Sequence, residues 1–439
     1  MSMSLTPAIP RFAPEAALLD ELMQNYGLGS IIDHLSDKEQ VGAYHQVVLA
    51  QQLRLTPVLA PRVFGLLAEV CAALSFDEQI NIFVHPDAQI NAFALHRIDD
   101  QSPHMISLTS EMVKSMTDDE LRFALGHEVG HLAHRHYRVM MVQHMMALRA
   151  RSEAQQQQDE QPMPQLLERR LLKWQRLAEL TADRAGFAAC GEQLPVAVSA
   201  FFKMSSGLGP EHLNFAVDSF LAQLAQLRDL ERSQVLARFS HPATPVRVRA
   251  LQLYSDCGAS AAPANALHSI DVEIELLAKL MDYEASTDLA VRARDFLVAG
   301  GLLAAHVDGN PDDEQMELII KLLLQVTGDP EAHLENVRDV EHAEQMLEDA
   351  CAWLTANAGQ ERFALLGQLA HVVARDGKLT PREQEFMLAV GSMLGIPERA
   401  AREILHDVLT GYVRSAAPSE GRRGLMGKFF GRSGQATDS

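Results

Sequence analysis

The stretch His127-Glu128-Val129-Gly130-His131 has the pattern His-Glu-x-x-His. In a helix, residues four positions apart lie on one face, so His127 and His131 would point the same way. This spacing suits a tetrahedral zinc ion, and Glu128 is placed to act on a metal-bound water. Because five residues can match by chance, the interpretation depends on the sequence on either side.

The residues around this stretch predict a well-defined helix. Thr117 and Glu120 have the spacing of a capping box, in which each side chain bonds the backbone N–H of the other residue. Apolar residues then recur at spacings of three and four, which predicts one buried face. These residues are Leu121, Ala124, Leu125, Val129, Leu132 and Ala133. Gly130 costs about 1 kcal/mol relative to alanine in a helix, so we expect a neighbouring element to approach closely there.

A third ligand is expected elsewhere, because a catalytic zinc site takes three protein ligands and leaves one position for water. Glu179 and Asp183 lie one turn apart in a second helical stretch. One carboxylate could bind the metal while the other holds a ligand imidazole. The alternative is an ordinary solvated helix face, on which both are surface charges beside Arg176.

From about residue 60 to 255 the sequence resembles the HtpX and CAAX prenyl protease family of gluzincin zinc metallopeptidases. The resemblance rests on four motifs that occur in the order found in that family. They are Asn91-Ala92-Phe93-Ala94 as an edge strand, the His-Glu-x-x-His stretch, Glu-x-x-Ala-Asp at 179–183, and His241-Pro242 followed by Arg247. Strands are also expected at 80–84 and 105–108, and a helix from Pro61.

The resemblance implies a zinc-dependent metalloendopeptidase with one zinc ion per chain. His127, His131 and Glu179 would bind the zinc. Glu128 would be the general base for a zinc-activated water, and Asp183 would orient a ligand histidine. The chemistry agrees, because zinc lowers the pKa of its water towards about 7 and polarises a carbonyl while a carboxylate takes the proton.

The resemblance also implies roles for three residues outside the ligand set. Asn91 would hold the substrate backbone as an added strand, although it could equally be a turn former at a strand end. His241 and Arg247 would stabilise the oxyanion, and His241 could instead close the site as a temporary fourth ligand. A His-Pro pair can also simply mark the start of a helix. His134 and His136 are expected on the helix surface or behind a ligand.

The predicted fold class is mainly α with a small β-sheet, an α+β gluzincin metalloprotease domain, followed by an all-α TerB-like helical domain. The expected boundaries are a helical segment at 1–59 that packs on the protease, the metallopeptidase domain at 60–257, a linker at 258–268, the TerB-like domain at 269–412 and a disordered basic tail at 413–439. A Gln-rich stretch at 155–165 is interpreted as a solvated loop or a lid.

The C-terminal half has two similar segments, 68 positions apart. Each has a helix, an Asp-Gly turn and a second helix with a capped, acidic start; the turns are at 308–309 and 376–377. The second segment resembles the tellurite-resistance TerB-like domain through Ala374, Asp376, Gly377 and Glu383. A cluster at Asp308, Asp312, Asp313 and Glu314 could bind a hard cation, or could serve only turns and caps. A regulatory or protein-binding role is expected for this domain.

Composition limits the remaining function classes. The chain has 439 residues and a formal charge of −20, which argues against nucleic acid as a partner. It contains no apolar run of about 18 residues and no signal-peptide pattern near Met1, so we expect no transmembrane segment and a cytoplasmic location. The four cysteines are far apart, which favours free thiols. The alternative to a peptidase acting on a peptide or protein substrate is a non-catalytic metal-binding scaffold or chaperone-like protein that retains the protease fold.

Overall fold

The computed structural model describes residues 10–35, 38–142, 162–214, 216–229, 234–307, 309, 313–375 and 377–416. The chain divides into two compact units, Met1–Glu284 and Ala285–Ser439. The first is mainly helical with one small sheet and the second is helical, which confirms the predicted fold class. None of the helices among these residues combines the length and apolarity that crossing a bilayer requires.

The first unit consists of helices around the sheet. Its helices are α1 (Ala13–Asn25), α2 (Leu28–Leu35), α3 (Lys38–Gln51), α4 (Pro61–Ala73), α5 (Ser110–Ser115), α6 (Asp118–Ala133), α7 (Pro162–Ala189), α8 (Leu194–Ser206), α9 (Val217–Leu221), α10 (Gln223–Asp229), α11 (Gln234–Ala237), α12 (Thr244–Asp256) and α13 (Ala264–Ala278), with 3-10 turns at Ala259–Ala261 and Lys279–Met281. Residues 137–142 are also helical.

The sheet has four strands in the order β1-β2-β4-β3. They are β1 (Leu53–Arg54), β2 (Ile80–His85), β3 (Ala92–Leu95) and β4 (His104–Thr109). β2 and β4 are parallel, whereas β3 pairs antiparallel with β4 so that Ala94 faces Ile106. Every residue of β4 is buried. β3 is the edge strand, as the sequence predicts, so one side of its backbone is not used within the sheet.

Helix α6 begins with the predicted capping box. The Thr117 hydroxyl accepts from Glu120 N at 3.3 Å, and Glu120 Oε2 accepts from Thr117 N at 2.8 Å. Glu120 also forms a buried ion pair with Lys203 of α8, with Nζ 2.7 Å from Oε2. The start of α6 is therefore fixed both by its cap and by a neighbouring helix.

Helices α6 and α7 pack closely through small residues. A Cβ at Gly130 would lie 2.7 Å from the Cβ of Ala185, and one at Gly126 would be closer still to Ala189. Side-chain carbon atoms do not approach to such distances, so glycine allows this contact. The close approach expected at Gly130 is confirmed, and the partner is the helix that carries Glu179.

The N-terminal helix α1 packs on the first unit. Phe12, Leu18 and Leu22 are buried in one apolar cluster with Trp174 and Leu177 of α7. At about 25 cal/mol per Å² of apolar surface, each such side chain contributes about 1.5–3 kcal/mol when fully buried. Helix α1 is thus held to the back of α7 by its apolar face.

The boundary between the units lies later in the chain than the linker predicted at 258–268. Residues 264–278 form α13, and Ile274 and Leu277 are buried in the cluster that also contains α1 and α7. Within the predicted linker, only the first residues have small or polar side chains, and an amphipathic helix begins at Ala264. The division comes after Glu284.

The second unit has its own apolar core, centred on α14 and α18. Its helices are α14 (Asp288–His306), α15 (Asp313–Leu323), α16 (Pro330–Glu335), α17 (Val340–Asn357), α18 (Glu361–Val373), α19 (Pro381–Met393) and α20 (Glu398–Ala416). Gly309 and Gly377, 68 positions apart, both have positive φ, at 145° and 72°, and a helix begins four residues after each. The two similar segments of the C-terminal half thus have a glycine with positive φ and the start of the next helix at corresponding positions.

Several predictions concern residues outside the described ranges. These are Asp308, Asp312 and Asp376, the Gln-rich stretch up to residue 161, and the tail from residue 417. Helix α20 continues to Ala416, so the first residues of the predicted tail are helical.

Candidate metal centre

Two helices bring the predicted ligands together. α6 carries His127 and His131, and α7 carries Glu179. His127 Nε2 lies 3.1 Å from His131 Nε2 and 3.3 Å from Glu179 Oε2, while His131 Nε2 lies 3.5 Å from Glu179 Oε1. Among the described residues, these three form the group of His, Cys, Asp and Glu side chains that could hold a metal ion.

The geometry of this group fits zinc. A tetrahedral ion with ligand distances of about 2.1 Å separates its ligand atoms by about 3.4 Å, close to the three distances between His127, His131 and Glu179. The donor set of two imidazoles and one carboxylate also suits zinc. Glu179 is buried, and its Oε2 forms no regular hydrogen bond among the described residues, although His127 Nε2 lies 3.3 Å and Arg247 Nη2 3.6 Å away. The hydrogen-bonding capacity of this oxygen is thus left for a further ligand, and a metal held by the three side chains would use it.

His127 is held from behind by Asp183 and Arg247. Its Nδ1 donates to Asp183 Oδ1 at 3.0 Å, which leaves the lone pair on Nε2 facing the ligand cluster. Arg247 donates to both oxygens of Asp183, from Nε at 2.9 Å and from Nη2 at 2.6 Å. The guanidinium also lies over the Phe201 ring, 4.8 Å from its centroid. Asp183 thus orients the His127 imidazole, and Arg247 fixes Asp183.

Burial and pairing shift the ionisation of these groups in opposite directions. Burial alone would lower the pKa of His127, but the neighbouring carboxylates of Asp183 and Glu179 outweigh it and raise the pKa to about 10. Burial lowers the pKa of His131 to about 3. Burial would raise the pKa of Glu179, yet the histidines around it hold that pKa well below its usual range. The site therefore keeps Glu179 as a carboxylate, the form that binds a cation.

Glu128 is buried beside the ligand cluster on the side of the sheet. Burial raises the pKa of its carboxyl to about 7, against a smaller opposing effect of His127. The carboxyl also takes a hydrogen bond from the backbone of Ala94 in the edge strand β3. A carboxyl group with a pKa near neutrality can both accept and return a proton.

His241 and Asn91 lie at the mouth of the site. The His241 side chain is 60% exposed, and its Nε2 is 3.5 Å from Glu179 Oε1. The side-chain oxygen of Asn91 accepts from Ala92 N at 2.9 Å, and Asn91 also lines the cavity of this site. Arg247, in contrast, is only 12% exposed and is paired with Asp183, but it also lines the same cavity.

These residues share a cavity of about 720 Å³. One part is polar and includes His127, Glu128, Glu179 and His241, and one wall is formed by residues 88–92 leading into β3. Another part is apolar and is lined by Met112, Phe123, Ala124, Phe201 and Met204. The cavity thus joins the ligand cluster, an edge strand and an apolar region.

Two residues lie behind His131: His136, for which a place on the helix surface or behind a ligand is expected, and Glu15, for which no role in the site is predicted. His136 Nδ1 lies 2.9 Å from His131 Nδ1, and His136 is completely buried. Its Nε2 lies 3.8 Å from Oε1 of Glu15, which comes from α1. The sequence carries a signal for Glu15: it lies three and seven positions before Leu18 and Leu22, so a charged residue occupies the buried face of α1.

Comparison with known proteins agrees with the geometry. Residues 61–255 match peptidase family M48, and residues 294–406 match the tellurite resistance protein TerB. The chain is also similar to the plastoglobule-localized metallopeptidase 48, chloroplastic, of Arabidopsis thaliana, with 29% identity over 237 residues, which cover 52% of this chain and 64% of the relative. The match thus spans less than two thirds of the relative's length. No solved structure matches significantly.

These matches support the resemblance at the level of the two domains, whereas the narrower likeness to HtpX and the CAAX prenyl proteases stays a prediction. The matched range 61–255 contains the whole ligand cluster, Asp183 and Arg247. The chain therefore contains a region similar to peptidase family M48, followed by a region similar to TerB.

Proposed function

We propose that the chain is a zinc-dependent metalloendopeptidase. The observation that carries this proposal is that Glu128 shares a cavity with His127 and Glu179 of the three-ligand cluster. The match to peptidase family M48 and the similarity to a metallopeptidase support it.

His127, His131 and Glu179 would hold the zinc, and Asp183 would keep His127 in the tautomer that binds through Nε2. When bound, zinc supplies a Lewis acid that polarises a carbonyl and acidifies water. Glu128 would take the proton from the attacking water and deliver it to the leaving amine. Burial raises its pKa to about 7, so near neutral pH it can both accept and release a proton.

The edge strand β3 would position the substrate. An extended peptide can pair with the free side of an edge strand, which brings its backbone past the ligand cluster. Asn91, at the start of β3, lines the cavity and would hold the peptide backbone. The apolar part, with Met112, Phe201 and Met204, favours a substrate with an apolar side chain near the scissile bond.

His241 and Arg247 would have different tasks. The imidazole of His241 is more than half exposed at the mouth of the cavity, so it can turn towards an oxyanion. Arg247 makes two hydrogen bonds to Asp183, so its task would be to hold Asp183 rather than to contact the substrate. In this proposal His241 is the oxyanion donor and Arg247 is a positioning residue.

The proposal is tested by cleavage of casein or a peptide library with wild type and Glu128→Gln, each with its zinc content measured. Removing the general base should lower the cleavage rate by about 10²- to 10⁴-fold while the zinc content stays the same. Glu348→Gln, the same substitution at an exposed residue of the second unit, is the control and should cleave like wild type.

Equal rates for wild type and Glu128→Gln would contradict the assigned base. Zinc bound by both proteins with no cleavage by either would favour the alternative, a metal-binding scaffold that retains the protease fold.

We further propose that the TerB domain binds a protein partner or regulates access to the protease. It has a core of its own, and the metal-ligand group of the described residues lies in the first unit. Hydrogen exchange of the full chain with and without captured partners would locate the binding surface. Protection confined to residues 10–284 would contradict this proposal.

A further inference from the structure

The two histidines of the ligand cluster are supported differently. His127 is held by a carboxylate, but the nitrogen of His131 that faces away from the cluster contacts His136, with 2.9 Å between the two Nδ1 atoms. A histidine that binds metal through Nε2 carries its proton on Nδ1 and donates it to a neighbour. His131 must therefore donate, and the Nδ1 of His136 must accept.

This donation fixes the tautomer of His136. With a lone pair on Nδ1, a neutral imidazole carries its proton on Nε2. The Nε2 of His136 is buried, lacks a hydrogen-bond partner among the described residues, and lies 3.8 Å from Oε1 of Glu15. When His136 accepts from His131, its buried Nε2–H group is left without a hydrogen-bond acceptor in the part of the chain that the structure describes. The Glu15 carboxyl group is next to this N–H group.

Glu15 is itself held in place from three sides. Its carboxyl group accepts from Arg11, with Nη2 2.7 Å from Oε1, and from Trp174 Nε1 at 2.9 Å. Thr181 Oγ1 donates to Oε2 at 3.2 Å. Trp174 and Thr181 belong to α7, the helix that also carries Glu179. Glu15 has no exposed surface and lies on the otherwise apolar face of α1, so these polar contacts fix its carboxyl group beside His136.

We propose that Glu15 is a positioning residue for the metal centre, acting on His131 through His136. The inference rests on the zinc site of the proposed function and extends that site to α1, which lies outside residues 61–255. In this arrangement the N-terminal helix completes the support of the second ligand histidine, as Asp183 and Arg247 do for the first. Without it, His131 keeps its place on α6 but loses the constraint on its ring orientation and tautomer.

The test is the zinc dissociation constant of the full chain, measured by competition with a chromophoric chelator, together with the visible spectrum of the cobalt-substituted protein. Glu15→Gln keeps the size of the side chain and removes its charge. Loss of such outer support typically weakens metal binding about 10- to 100-fold, and we expect a loss in this range with a changed cobalt spectrum. His136→Asn, which can keep an acceptor near the Nδ1 position but lacks the Nε2 group, should give a similar loss.

Two comparisons separate this role from general stability. Leu22→Ala removes a buried side chain of the same helix and should lower the melting temperature while leaving the zinc dissociation constant unchanged. The double variant Glu15→Gln with His136→Asn should lose no more affinity than either single variant, because both changes break the same link.

A folded Glu15→Gln variant with wild-type zinc affinity and an unchanged cobalt spectrum would overturn the inference and leave the proposed function standing. If Glu15→Gln does not fold, the same measurements are made on His136→Asn, and wild-type zinc affinity with an unchanged cobalt spectrum would again overturn the inference. An equal loss of affinity in Leu22→Ala would also overturn it. A wild-type chain that binds no zinc would instead overturn the proposed function, and this inference with it.

Discussion

At the scale of single residues, the buried histidines in the described part of the first unit occur at two places. One group belongs to the candidate metal centre, and the other lies at the end of β3 and the start of β4. In the second group the His96 ring stacks on Tyr137 with centroids 3.9 Å apart and meets His104 edge-on at 4.4 Å. His104 contacts Glu78, which also pairs with Arg97. These histidines lie apart from the ligand cluster, so their ionisation affects folding rather than metal binding.

We expect His96 to make the protein sensitive to acid. Burial lowers the pKa of His96 to about 3 from the ordinary value of 6.5, so the unfolded chain takes up a proton on this residue well before the folded chain does. Stability contributed by neutral His96 is therefore complete above pH 6.5 and is lost as the pH falls from there towards 3. At about pH 5 the loss from this residue is at most about 2 kcal/mol.

The measurement is the free energy of unfolding in urea between pH 7 and pH 5. His96→Phe keeps a ring against Tyr137 and should show a smaller fall in stability over this range than wild type. His268→Gln, at an exposed position, serves as the control and should follow wild type. A fall in His96→Phe as steep as that of wild type would contradict the prediction.

The sequence is enough to propose the three side chains that the structure brings together, whereas it does not reveal the contact between Glu15 and His136. His127, Glu128 and His131 are neighbours on one helix, and Glu179 and Asp183 have a recognisable spacing on another, so local pattern is enough to propose them. Glu15 and His136 are more than a hundred positions apart, and only the packing of α1 on α7 brings them together. The pairing of Arg247 with Asp183 likewise depends on how α12 meets α7.

At the scale of elements, the contact between α6 and α7 sets the geometry of the ligand cluster. Gly126 and Gly130 face Ala185, Gly186 and Ala189, so the backbones of the two helices approach closely. His127 and His131 lie on α6 and Glu179 lies on α7. The separation of the two helices therefore determines how far the Glu179 carboxylate is from the two imidazoles.

Gly130→Ala should destabilise the protein although alanine is the better helix former. The new Cβ would lie 2.7 Å from Ala185, and overpacking of this kind costs about 1–3 kcal/mol, more than the gain of about 1 kcal/mol in helix propensity. Pushing α7 away should also weaken zinc binding. Urea denaturation and zinc titration of the variant measure both effects.

Gly65→Ala in α4 is the matched control. A Cβ there meets no atom within 4 Å, so the same substitution should stabilise by up to about 1 kcal/mol and leave zinc affinity unchanged. If Gly130→Ala and Gly65→Ala changed the free energy of unfolding and the zinc affinity equally, in sign and size, the prediction would be wrong. The contact between α6 and α7 would then have room for a methyl group at residue 130.

At the scale of the whole molecule, the chain has two units with separate apolar cores. The fold class is predicted from the two family resemblances, and the pattern of apolar residues, Pro61 and the Asp-Gly turns indicate single helices within it. The boundary after Glu284 is not predicted, because the small residues at 258–262 resemble a linker while the following helix α13 packs on the first unit. Whether an amphipathic helix belongs to the unit before or after it depends on tertiary contacts.

Removing the metal should affect one unit only. A ligand that binds the folded state stabilises it by RT ln(1 + [L]/Kd), which is about 4 kcal/mol at a thousand times Kd. The ligand cluster lies in the first unit, so a chelator should lower the melting temperature of one calorimetric transition and leave a second transition unchanged.

The control is Glu179→Gln, in which the chelator should shift neither transition because the third ligand is weakened. Equal shifts of both transitions in wild type would mean that the two units unfold together.

The ligand-bearing helices α6 and α7 belong to separate stretches of chain, 118–133 and 162–189. A chain divided between residues 142 and 162 would therefore yield one fragment with two imidazoles and another with the carboxylate, and neither could form the cluster alone. Mixing the fragments would restore it only when they reassemble along the glycine-lined contact. Metal binding by the mixed fragments would thus measure directly whether α6 and α7 associate.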